Sequence, residues 1–159
     1  MNIMVVSDDH GRDDFEKAYK LAVSKYSHID AVIHAGDTGR FDNSYYESIC
    51  GPMFYAVAGN NDFNNNKRAM LLKFEGRTIF VTHGHRYNVY NGTTALEYAA
   101  LENGADIAIF GHTHVPYHHK DNDLIVINPG SLAGIRSAEK SFAVLELGDD
   151  DTKVKFYYL

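Results

Sequence analysis

A chain of 159 residues with 45% apolar and 23% charged side chains can bury a real core as one domain, which sets aside disorder and fibrous repeats. A formal charge of −6 excludes the basic patch that would hold an extended nucleic acid, although bound cations can still make one cleft attractive to a small anion. No apolar run approaches the ~18 residues of a membrane span or reads as a signal peptide, and the lone Cys50 can close no internal disulfide. The expectation is one cytoplasmic domain over residues 1–159, without membrane partners, in which Cys50 is a small buried apolar residue. The sequence leaves a homo-oligomer open.

Residues 2–7 and 30–35 are short β-branched apolar runs that predict buried strands. Between them Phe15, Ala18, Tyr19, Ala22, Val23 and Tyr26 recur at helical spacing, which gives strand, helix, strand and hence a parallel pair. Ser44 with Glu47 and Thr94 with Glu97 match the capping-box spacing and predict two further helix starts. Residues 69–83 read as a hairpin about Glu75-Gly76-Arg77. The helix from Thr94 should stop near Asn103-Gly104, before a strand at Asp106 to Phe110. After residue 115 short strands alternate with polar turns and predict an antiparallel C-terminal third. The fold class is therefore α/β, with a mixed sheet or two packed sheets.

Polar clusters follow five of the apolar runs: Asp8-Asp9-His10-Gly11, Gly36-Asp37, Gly59-Asn60-Asn61-Asp62, Thr82-His83-Gly84-His85 and Gly111-His112-Thr113-His114. Ligands of open α/β sheets bind beyond the carboxyl ends of the strands, so the clusters can converge in space. Ordinary strand-to-loop turns also favour Asp, Asn and Gly, but they do not account for four histidines at two of the five sites. Imidazole and carboxylate suit Zn, Mn, Fe or Ni, and the absence of thiolate points away from Cu(I) and iron–sulfur chemistry. Asp8, His10, Asp37, Asn60, His83, His112 and His114 make seven candidate ligands, too many for one transition ion and suited to two ions sharing a carboxylate.

These ordered motifs, D-x-H, G-D, G-N-x-D, H-G-H and G-H-x-H over residues 8–114, resemble the calcineurin-like metallophosphoesterases. Within that family the likeness is to the small single-domain phosphodiesterases related to the retromer cargo-subunit fold; Asn128-Pro129-Gly130-Ser131 also resembles a loop of the small members. The resemblance implies two packed mixed sheets flanked by helices, a four-layer α/β/β/α sandwich. It implies that Asp8, His10, Asp37 and His114 hold a first ion, and that Asp37 as bridge, Asn60, His83 and His112 hold a second. Manganese is the first expectation, with Fe, Ni or Zn as alternatives. It further implies that a metal-bridging hydroxide attacks a small phosphate ester, with Asp37 and Asn60 in the catalytic set.

His85 is a candidate for substrate contact and is counted with the catalytic residues. His34 reads as a hydrogen-bonded core histidine; His28, His118 and His119 read as exposed; Asp9 and Arg12 read as a solvated loop. Asp62 reads as a turn stabiliser and Asn64 to Asn66 as an exposed polar loop. Asn61 departs from the family pattern, because larger members carry histidine there to protonate the leaving group and asparagine has no useful acid. The alternative function is accordingly a metal-binding, catalytically weak protein-interaction scaffold.

Overall fold

In a computed structural model, which describes residues 1–121, 123–134, 139–149 and 151–159, the apolar residues 3–6 of the first strand divide their side chains between two layers. In β1 (Asn2–Val6), Ile3 and Val5 pack with Ile33, Val57, Ile79, Ile107 and Leu145 between two sheets. Met4 and Val6 instead meet Phe15, Ala18, Ala22 and Tyr46 of the helices outside. The period of two in a strand puts alternate residues on opposite faces, so an apolar run without polar interruption is what a doubly covered sheet requires.

The same split recurs through both sheets. The first has the order β10-β9-β1-β2-β3, with β2 (Ala31–His34) and β3 (Phe54–Ala56) parallel to β1, β9 (Ser141–Leu147) antiparallel to β1, and β10 (Thr152–Tyr158) antiparallel to β9. The second has the order β4-β5-β6-β8-β7, formed by Ala69–Phe74, Arg77–Thr82, Ile107–Ile109, Ile125–Asn128 and Tyr117–Lys120 respectively. There β5, β6 and β8 are parallel and the edge strands antiparallel. Helices α1 (Asp14–Lys25) and α2 (Asn43–Cys50) cover the first sheet; α3 (Thr94–Glu102) covers the second through Leu96 and Ala100 against Phe80 and Ala108. Two mixed five-stranded sheets between helices make the four-layer sandwich expected.

Several local expectations shift. The cap of α2 is Asp42, which accepts from Tyr45 N at 3.2 Å, while Ser44 lies inside the helix and donates to Asp42 at 2.6 Å. The cap of α3 is Thr93, whose hydroxyl donates to Glu97. In both cases the boundary precedes the predicted residue: the Asp42 carboxylate caps the first turn of α2, whereas Thr93 makes no side-chain hydrogen bond to the backbone of α3. That helix ends as predicted, at Asn103, with Gly104 at φ 66°. Val23 is 42% exposed, since α1 needs only the narrow stripe of Phe15, Ala18 and Ala22 against the sheet. The C-terminal hairpins β7–β8 and β9–β10 lie in different sheets, and β8 pairs in parallel with β6, so that third is not one antiparallel unit. Among the described residues no helix is long and apolar enough to cross a membrane.

Candidate metal centre

Because β1, β2 and β3 run in parallel, as do β5 and β6, their carboxyl ends deliver the five polar clusters to a common rim. The loops are then cross-tied: Asp8 N donates to Gly36 O, His10 N to Asp37 O and Gly111 N to His83 O, at 3.0–3.1 Å. Asp8, His10, Asp37, His112 and His114 all have φ between 51° and 69°, and only two other non-glycine residues described share that region. A left-handed conformation costs an ordinary residue roughly 1–2 kcal/mol, so backbone strain is concentrated on five of the seven candidate ligands. Gly59 and Gly111 pass so close to Asp37 and Asp8 that a side chain at either would overlap the carboxylate.

The ligand atoms converge. Asp8, His10 and His114 each offer one within 4.8 Å of the others, and so do Asp8, Asp37 and His83. His10 Nε2 stands 3.3 Å from His114 Nε2 and 3.9 Å from Asp37 Oδ2, while His83 Nε2 stands 3.4 Å from Asp37 Oδ2. Asn60 Oδ1 and His112 Nδ1 join at 3.1 and 3.3 Å from His83 Nε2. Asp8 Oδ1 belongs to both groups, at 3.1 Å from His114, 3.8 Å from His83 and 3.9 Å from His10. Both carboxylates thus lie between the two histidine sets, whereas the sequence resemblance gave the shared place to Asp37 alone.

The donor set fits a cation. Asp8 Oδ2 accepts from Ser7 Oγ and His112 N, but Asp8 Oδ1 is buried without a hydrogen-bond partner. His83 Nδ1 donates to Ala35 O at 2.7 Å, which fixes the tautomer and turns the Nε2 lone pair toward the oxygens of Asp8, Asp37 and Asn60. A lone pair facing oxygen acceptors needs a proton or a metal ion between them. Accordingly, burial disfavours the charged form of His83, yet the hydrogen bond its protonated form donates to Asp37 and the charges of Asp8 and Asp37 raise its pKa. Burial alone would raise that of Asp37, but His83 and two hydrogen bonds from Asn61 hold it below the usual carboxylate range. His112 is pushed down to about 4, first by burial and then by repulsion from His83, which keeps it neutral.

The remaining predicted residues divide. His85 stands beside the set, its ring 5.5 Å from that of His83 and 6.0 Å from that of His112, with Nδ1 buried and unpartnered. Burial, then the charge of His83, lowers its pKa. Asn61 turns inward: its Nδ2 donates to Asp37 Oδ2 at 2.7 Å and its backbone N to Asp37 Oδ1 at 2.9 Å. His34 is a buried, bonded core histidine, accepting from Gly36 N, while His28, His118 and His119 are exposed, all as expected. Asn64 and Asn66 are not a free loop, because Asn64 donates to Thr38 and Asn66 exchanges two amide hydrogen bonds with Asn43.

Sequence reasoning missed the braces. Asp9 is fully buried rather than solvated; it accepts from Tyr46 Oη at 2.6 Å and Gly11 N at 3.2 Å, with His34 Nε2 at 3.5 Å. Asp62 does more than stabilise its own turn, since it accepts from Asp37 N, Gly39 N, Gly59 N and Thr38 Oγ1 and so joins the loops after β2 and β3. Asn128 donates to Gly111 O and Ser131 to Asp8 O, which ties the Asn128–Ser131 turn to two ligand loops. The only advance signal for that turn was its family likeness; Asp9 carried none, being adjacent in type and position to a candidate ligand.

A family model described as the calcineurin-like phosphoesterase superfamily domain matches residues 1–150. The probable metallophosphoesterase YsnB of Bacillus subtilis is 34% identical over 160 residues, covering 99% of this chain and 90% of that one. A phosphodiesterase of Methanocaldococcus jannaschii is 28% identical over 174 residues, covering 99% and 96%. Among solved structures, a predicted phosphoesterase of Streptococcus pneumoniae superimposes with a TM-score of 0.83 at 30% identity, over 99% of this chain and 88% of that one. The zinc complex of Entamoeba histolytica Vps29 shares the fold at 22% identity, with a TM-score of 0.79 over 100% and 98%.

Proposed function

For a chain that belongs to the calcineurin-like phosphoesterases, and so to the metal-dependent phosphoric ester hydrolases, we propose a dinuclear centre that cleaves a small phosphodiester. Asp8, His10, Asp37 and His114 would hold one ion and Asp37, Asn60, His83 and His112 the other, with manganese the first expectation from the family resemblance and Fe, Ni or Zn the alternatives. The supporting observation is His83, a buried imidazole fixed by Ala35 so that its Nε2 faces Asp8, Asp37 and Asn60 oxygens and the His112 ring. Two divalent ions would supply a nucleophilic water of lowered pKa and Lewis-acid stabilisation of charge on the phosphoryl oxygens.

The side chains divide the remaining work. Asp8, Asp37 and His83 are buried and form the floor, whereas Asn60 is exposed and His10 and His112 are half-buried, so an ester reaches the centre from their side. Asn60 turns its oxygen to His83 and retains its amide N–H groups for a phosphoryl oxygen. His85, its ring beside those of His83 and His112, would contact the ester. Asn61 is engaged with Asp37 and supplies no acid, so leaving groups of low pKa should be preferred.

The test is a metal-by-substrate screen on protein purified without chelators, using bis(p-nitrophenyl) phosphate and Asp37→Ala as control. Two ions per chain and loss of turnover in the variant are expected. Full turnover after thorough metal removal would sink the reading, and one ion per chain would sink the dinuclear part. Metal binding without hydrolysis of any ester would favour the scaffold alternative, which the missing acid at Asn61 motivates.

A further inference from the structure

The candidate metal centre adjoins a largely apolar groove of about 270 Å³, lined by Val89, Tyr90, Phe110, Thr113, Val115 and Tyr117 among others. Two features tie it to the ligands. Thr113 lies between His112 and His114 in the chain, and Tyr90 donates from Oη to His112 O at 2.9 Å with its ring 4.9 Å from the imidazole. Val115 and Tyr90 are 53% and 52% exposed beside a strongly polar site, where apolar surface is otherwise wasted. Pockets for whole drug-sized ligands run to roughly 300–1,000 Å³, so this groove suits one ring rather than a complete substrate. Tyr90, Tyr117 and Phe110 provide faces and edges for such a ring. Thr113 Oγ1 accepts from Asn128 Nδ2 at 3.0 Å, so its own proton can serve a polar ring edge.

We propose that this groove binds a flat aromatic ring on one arm of the phosphoester whose phosphoryl group sits against His112 and His114, and so sets substrate preference. The proposal rests on the phosphoesterase reading above and adds to it the class of ester: one with an aryl or similar ring arm rather than two small alkyl arms. The groove is assembled from the turn after Asn88 and from the strand-end loop carrying the ligands, so ring and phosphoryl group would be positioned by one rigid unit.

The test measures binding of phenylphosphonate and methylphosphonate to the full, manganese-loaded chain by titration calorimetry, which needs no turnover. Phenylphosphonate should bind about tenfold tighter, a difference that contact with one ring readily supplies. Val115→Gln and Tyr117→Ala, both at exposed positions, should bring the ratio close to one and leave methylphosphonate affinity within about twofold of the parent. Should Tyr117→Ala fail to fold, Val115→Gln carries the comparison alone. Equal affinities in the parent, or an unchanged ratio in the variants, would overturn the groove assignment while leaving the metal centre intact. Binding of neither phosphonate would overturn the phosphoesterase reading and this proposal with it.

Discussion

Replacing Asp62 by alanine should cost more stability than removing any candidate ligand. Its carboxylate is 4% exposed and accepts four hydrogen bonds, from Asp37 N, Gly59 N, Gly39 N and Thr38 Oγ1. Gly39 is exposed and can turn to water, but Asp37, Gly59 and Thr38 are buried and would lose their acceptor. A buried donor left unsatisfied costs about 1–3 kcal/mol, so three of them imply a loss of at least about 3 kcal/mol even after relaxation. Against a total stability of about 5–15 kcal/mol, and a urea dependence of about 1–3 kcal/mol per molar, the urea midpoint should fall by roughly 1–3 M. Asp62→Asn should recover only part of this, because whichever way the amide turns, its NH2 faces two donors. The assay is equilibrium urea unfolding of parent, Asp62→Ala and Asp62→Asn without metal. A loss under about 1 kcal/mol for alanine, or full recovery by asparagine, would refute the claim that this carboxylate knits the loops after β2 and β3.

Asn61→His should raise the rate on poorly activated alkyl esters, by up to the ~10²–10⁴ typical of a general acid, with little change for nitrophenyl esters; no gain would show that protonation is supplied elsewhere or is not limiting. Tyr46, fully buried against Asp9, has its pKa raised, first by burial and then by the Asp9 charge. Its folded form therefore keeps the proton that the unfolded chain loses above pH ~10, so stability should be intact below that pH and fall by about 1.4 kcal/mol per unit above it. Tyr46→Phe should remove that increment from the alkaline limb in pH-dependent melts, and an identical slope would count against it. At His112, φ 69°, glycine should give a metal-free protein about 0.5–1 kcal/mol more stable than alanine does, since the relief of left-handed strain exceeds the entropy cost of glycine; alanine equal to glycine in thermal unfolding would deny the strain.

The sheets were legible because periodicity is a property of the chain: Ile3 and Val5 against Met4 and Val6 could only suit a strand covered on both faces. The clusters that end the strands were legible for the same reason, since chemistry and position coincided. What the sequence could not supply was direction. Asn60, Asn61 and Asp62 are neighbours of similar character, yet they face His83, face Asp37 and bridge two loops, respectively. Asp8 and Asp9 differ likewise: one opens an oxygen toward three histidines and the other is buried against Tyr46. Those directions follow from φ at single residues and from partners tens of positions away. The groove beside His112 was invisible for the same reason, being built from residues 89–93 and 110–117 that share no pattern.

The strain at the candidate ligands and the density of the braces around them have one physical cause. Five ordinary residues at positive φ raise the energy of their loops by an amount comparable to a sizeable part of a domain's stability. Loops left to themselves would relax and the ligand atoms would separate. They are held because each is anchored from outside: Asp37 through Asp62, Asp8 through Ser131 and Ser7, and the Gly111–Thr113 turn through Asn128. These anchors use buried hydrogen bonds, whose loss is costly, to hold the ligands where like-charged carboxylates and close-set imidazoles repel one another. The sheets and braces therefore carry the stability, while the rim carries the strain, and a cation is the one addition that would relieve the rim without loosening the braces.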